Sequence, residues 1–200
     1  MTKLGVEATS LQDITERAGV GTGTFYSYFT SKEDVAARVL DCLINNLFKR
    51  TIASVEAAHA EDPLVRIVIP VRGGLRELLN NRIWYWWLKQ HPDLLVERTR
   101  RGFYELGTAD LQRAVDANRV RLPGNNVHAA WSMLIWQMVA GVRDITDEYR
   151  SNDSEGAITV SILQALGVSA AESLRLTSGE AIVYGDLPID FEFMLKEKDD

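Results

Sequence analysis

A second cysteine is missing. Cys42 stands alone among 200 residues, so no internal disulfide closes this chain, and nothing beside it marks an activated thiol. Its helical spacing from Val39 and Leu43 reads as a small core hydrophobe. Histidine is scarce as well. His59, His91 and His128 are not spaced as metal ligands on one helix, and neither a nucleophile motif nor a phosphate loop accompanies them. The sequence therefore argues against an enzyme and calls for no cofactor and no metal. No apolar run approaches the roughly 20 residues of a membrane span, and the first residues form no apolar signal segment. The expectation is a cytoplasmic protein without a membrane partner. A surplus of positive charge is also absent: 22 Lys and Arg face 28 Asp and Glu, for a net charge of −6. That excludes a nucleic-acid coat protein but leaves room for a local DNA-contacting face.

What is present is helical periodicity. From Thr9 to Lys32 the chain reads as two short helices around a glycine turn. Thr9 or Ser10 caps the first, its hydroxyl accepting from a free backbone N–H. Asp13 sits where the helix dipole favours an acid. Leu11, Ile14 and Ala18 recur on one face, Gly19 ends the helix in the left-handed region, and Val20 reads as an apolar plug. A second helix from Thr22 turns Phe25 and Phe29 inward, one turn apart. Helix, glycine turn, helix is the helix-turn-helix pattern, whose second helix enters the DNA major groove.

At Thr9, Ser10, Asp13, Ile14, Ala18, Gly19 and Val20, and through the run Gly23-Thr24-Phe25-Tyr26-Ser27-Tyr28-Phe29 followed by Lys32-Glu33, the chain resembles the TetR family of transcriptional regulators. The resemblance covers Gly5 to about Ile52. Gly21 departs from it, standing where the family places a capping serine, at a cost of only a few tenths of a kcal/mol. The family also sets a whole helix ahead of the motif. Here Met1 to Leu4 read as that helix's last turn, and its first part is missing. Residues 1–50 carry six acids and six bases, a poor electrostatic footprint for DNA. The missing basic helix would account for that.

The resemblance implies an all-α protein. An N-terminal helix-turn-helix DNA-binding part (1–59, truncated at its start) joins through a long linker helix to a larger helical ligand-binding and dimerisation body (60–200). The helices follow in order. Ser31 caps a long helix to about Ala58. Asp62-Pro63 opens one through Leu78, with Pro70 predicting a kink. An aromatic cluster runs from Trp84 to Trp87. A single pattern spans Asp93–Asn118. Asn125 or Asn126 caps a helix to about Tyr149, Ser154 one stopped by Gly167, and Ser169 a last short one. From Gly179 the spacing changes to alternation, read either as a hairpin of Ala181–Tyr184 with Ile189–Leu195 or as an extended tail.

The short hydroxyls of Thr22, Thr24 and Ser27 suit base edges or phosphates, and Gly23 allows close backbone approach. For Tyr26, Tyr28 and Lys32 the resemblance favours phosphate contacts over packing alone; it adds Ser10 to the DNA-contacting set. Trp84, Trp87, Phe103, Trp131 and Trp136, with Arg72 and Arg76, read either as core or, by family analogy, as the lining of a pocket for an unknown small-molecule effector. The analogy also implies a homodimer through the last two long helices, with Ile135, Val142, Ile158, Ile162 and Leu166 at the interface. The whole then reads as a ligand-responsive regulator, a repressor released from a palindromic double-stranded DNA operator. The alternative is a helical small-molecule-binding or interaction protein whose DNA-binding end is no longer competent.

Overall fold

A computed structural model describes residues 8–147 and 155–179. Every regular element among them is helical. The turn read at Met1–Leu4, the cap at Ser154 and the hairpin or tail beyond Gly179 lie outside the described residues. The chain forms two compact units, one built on residues up to Asn46 and the other beginning at Leu47. The division falls ahead of the functional boundary read near Ala60.

The first unit holds α1 (Leu11–Ala18), α2 (Thr22–Tyr28) and the start of α3 (Lys32–Ala57). Ser10, not Thr9, caps α1. Its Oγ accepts from the Asp13 N–H at 3.0 Å, while the Asp13 carboxylate accepts from the Ser10 N–H at 2.9 Å and from its hydroxyl at 2.6 Å. This reciprocal box satisfies donors that the first helical turn leaves open. Gly19 ends the helix at φ 66°, a conformation in which any side chain would be strained. Phe25 is buried and lies 5.4 Å from the Phe29 ring. Val20 is no plug: it is 40% exposed, and Thr15 takes a buried place on α1 instead. At the start of α3, the Ser31 hydroxyl accepts from the Asp34 N–H and the Thr30 N–H donates to the Asp34 carboxylate.

The Asp13 carboxyl titrates below its ordinary 3.8, because the Ser10 hydroxyl and then the Ser10 N–H bond its charged form. A depressed folded-state value means stability present above the unfolded pKa and lost as pH falls through the folded one. Ser10→Ala is expected to lower the stability of α1 by about 1 kcal/mol and to return the Asp13 titration towards 3.8. Carboxyl-carbon NMR shifts against pH check it, and an unmoved Asp13 curve would show that the box does not form in solution.

The second unit contains the rest of α3 and α4 (Pro63–Asn80), α5 (Arg82–Gln90), α6 (Pro92–Gly102), α7 (Tyr104–Asp116), α8 (Val127–Thr146), α9 (Glu155–Ala165) and α10 (Ala170–Thr177). Asp62 caps α4 with Pro63 in its first turn, where a missing N–H costs nothing. Asn126 caps α8 and Ser169 caps α10. The single pattern read over Asp93–Asn118 is two helices. They break at Phe103, whose backbone sits at φ −110°, ψ 8°; Gly102, a weak helix former, precedes the break. α4 runs through Pro70 as one helix.

Two glycines allow helices to approach closely. A Cβ on Gly107 would collide with the Trp131 ring, and one on Gly141 would press into Ile158 at 2.9 Å. So α7 packs against α8 at the first, and α8 against α9 at the second. The core holds Leu75, Leu88, Leu95, Leu111, Val142, Ile162 and Leu163, none more than 2% exposed. Here the reading of the partner interface changes. Ile135, Val142, Ile158, Ile162 and Leu166 are all buried within this one chain, at 5% exposure or less. Within this one chain they pack into the core that holds α8 and α9 together.

Candidate functional site

α2 presents an exposed polar face. Thr22, Gly23, Thr24, Tyr26, Ser27 and Tyr28 are all exposed, Tyr26 at 57% and Tyr28 at 48%. Nothing lies within 4 Å of where a Gly23 Cβ would stand, so the backbone there is open to close approach. Gly21 caps α2 without a side-chain bond. The Ser27 hydroxyl donates to the Gly23 carbonyl at 3.2 Å. Ser10 and Lys32 have structural duties: Ser10 caps α1, and Lys32 donates from Nζ to the Thr9 carbonyl at 3.2 Å. Lys32 thereby ties the start of α3 to the residues just before α1.

The second unit holds a partly open cavity of about 60 Å³. Leu47 and Thr51 on α3 form one wall, and Ile67, Pro70, Val71 and Gly74 on α4 a second. Phe103 with Leu106, Gly107 and Leu111 of α7 closes a third side, and Trp131, Leu134, Ile135 and Met138 of α8 the fourth. Trp131 is held in place: its ring lies on Gly107 and its Nε1–H donates to the Arg100 carbonyl at 3.0 Å. The lining is apolar except for Thr51, Thr99, Arg66 and Asp110. Asp110, 3% exposed, accepts from Arg66 Nε at 2.8 Å and from Arg113 Nη1. A mostly apolar space with a few converging polar groups is the usual form of a small-molecule site.

Of the residues read as ligand-contacting, the structure brings Phe103 and Trp131 to this cavity. Trp84 and Trp87 are buried on α5, and Trp87 meets Trp86 edge-on at 4.9 Å; neither lines the cavity. Arg72 and Arg76 are engaged elsewhere, both donating to Glu155 at 3.4 and 3.3 Å. Trp136 is 48% exposed on the outer face of α8.

Residues 1–39 match the model of the bacterial regulatory proteins, tetR family. The chain carries a TetR-family N-terminal domain. Two solved structures share the fold along most of its length. One is RolR without ligand: 21% identity, 92% of this chain and 94% of that one, TM-score 0.79. The other is RolR in complex with resorcinol: 23% identity, 91% and 89% coverage, TM-score 0.76. At these identities the likeness shows a shared helical fold. No curated protein matches the chain. Among the described residues no helix is long and apolar enough to cross a membrane, and no cluster of His, Cys, Asp or Glu could hold a metal ion.

Around this cavity, sequence reasoning missed Arg66, Asp110, Thr51 and Thr99. One signal was available. Asp110 lies one turn after Leu106 and two after Phe103, so it is an acid on the buried stripe of α7, where a charge needs a reason. The hydroxyls gave none, because a threonine on a mixed helix face reads as surface.

Proposed function

We propose that this chain is a ligand-responsive, DNA-binding transcriptional regulator of the TetR type. In this reading it acts as a homodimeric repressor and leaves a palindromic operator when a small molecule fills the cavity. The observation that carries this is α3. It is one helix from Lys32 to Ala57, its N-terminus is tied to the helix-turn-helix by Lys32, and Leu47 and Thr51 in its second half line the cavity. A ligand that displaces that half of α3 favours one of two arrangements of the DNA-reading end. The resorcinol complex of RolR supports a small aromatic effector.

A second reading has one observation in its favour: α2 carries no cation, so its phosphate contacts would rest on hydroxyls. That is the protein whose DNA-binding end is no longer competent. Fluorescence anisotropy with duplex DNA from upstream of the protein's own gene separates the two. The expected result is saturable binding at 50 mM salt, weakened at least about tenfold by salt raised to 200 mM, as counterion release requires, and weakened again by millimolar resorcinol. Binding that is absent at every protein concentration would favour the second reading.

A further inference from the structure

We infer that the Asp110–Arg66 pair is the polar recognition element of the cavity, and that it selects a neutral, single-ring ligand carrying a hydroxyl. The inference rests on reading the cavity as the effector site and adds the chemistry of what enters.

Asp110 is 3% exposed and lines an otherwise apolar space. Both of its arginine partners bond the same oxygen, Oδ1. Among the described residues Oδ2 accepts no hydrogen bond. Oδ2 is not a fully buried orphan, since among the described residues Arg72 Nε is the side-chain atom in that state; Oδ2 keeps accessible surface on a residue that lines the cavity. Arg66 lines the same cavity and engages Asp110 through Nε, which leaves its terminal Nη donors for a further acceptor. An open acceptor beside an open donor matches a hydroxyl, which gives one hydrogen and accepts another.

The charges decide against ions. A carboxylate ligand would meet the Asp110 carboxylate in a low-dielectric space, and an ammonium would meet Arg66. Size limits the ligand further. An apolar cavity of about 150 Å³ takes benzene, and this one measures about 60 Å³. A single ring already exceeds this space, so it seats fully only if the lining yields. Met138 is the flexible part of that lining, with its Cε against Gly74. Trp131, pinned by Gly107 and the Arg100 carbonyl, and Phe103 are the flat, rigid surfaces on which a ring would lie.

The test is calorimetry and thermal shift of the full chain with four single-ring probes: phenol, anisole, toluene and benzoate. Phenol is expected to bind at least about tenfold tighter than anisole, which keeps the oxygen but cannot donate; benzoate is expected not to bind. Asp110→Asn is expected to bring phenol down to the level of anisole while toluene binding stays. Retained toluene binding shows that the variant is folded, and if it does not fold, the phenol–anisole ratio of the unaltered protein decides. Anisole or toluene binding as tightly as phenol, or phenol unaffected by Asp110→Asn, would overturn this inference and leave the cavity as an effector site. Failure of all four probes would overturn the cavity reading itself, and the inference with it.

Discussion

Glu155→Ala is expected to destabilise the protein by about 3–5 kcal/mol, the usual cost of removing one partner from a buried ion pair. Glu155 opens α9, and its Oε1 accepts from Arg72 Nη2 at 3.4 Å and Arg76 Nε at 3.3 Å. Arg72 is 9% exposed. Its Nη1 donates to the Gly179 carbonyl at 2.8 Å, and its Nε is buried with no acceptor. Alanine at 155 would take the carboxylate away from both arginines and leave Arg72, the one out of water, with the Gly179 carbonyl as its acceptor. A domain is stable by about 5–15 kcal/mol in all, so the loss is a large fraction of the total, and a fall in Tm on the order of 10 °C follows for a chain of this length. Thermal unfolding followed by far-UV circular dichroism measures it. Arg72→Met combined with Glu155→Leu should recover most of the loss, because it removes the two buried charges together and leaves only the more exposed Arg76. A single-variant loss under about 1 kcal/mol would mean that water reaches the cluster.

The parts of this protein that were legible in its sequence are those fixed by local chemistry. The cap at Ser10, the left-handed Gly19 and the Phe25–Phe29 pair each depend on neighbours within four residues, and the helix-turn-helix followed from them. The cavity and the outward faces depend on how helices turn against each other, and spacing was read there too coarsely. Trp131 and Trp136 were placed in one pocket although five residues rotate a helix by roughly 140° relative to the starting face. Ile135, four residues on, shares the face of Trp131 and does line the cavity. On α7, joining two helices into one pattern across Gly102 and Phe103 concealed the register that brings Asp110 inward. On α9 the most apolar stripe was assigned to a partner, whereas the subunit's own core claims that stripe first.

The outward face of α8 is where a second copy is expected to dock, and Trp136→Asp with Met133→Glu is expected to abolish the dimer. Ala129, Met133, Trp136 and Ala140 follow one another at steps of four, three and four, which sets them on a single stripe. All four are exposed, Met133 at 61% and Trp136 at 48%. Two large apolar side chains adjacent on one helix face are a feature of association surfaces. A tryptophan buries some 150–250 Å², and in a two-fold interface each side chain counts twice. The double variant replaces that gain with four acids facing one another across the axis. Neither side chain belongs to the subunit's buried core, so helix content should stay unchanged while light scattering at micromolar concentration returns the monomer mass. Operator affinity should fall at least a hundredfold, since a lone subunit reaches one half-site. Ile158→Asp supplies the contrast: it puts a charge into the contact with Gly141 and should unfold the subunit rather than separate two of them. A dimer mass that survives both changes on α8 would place the interface on another face.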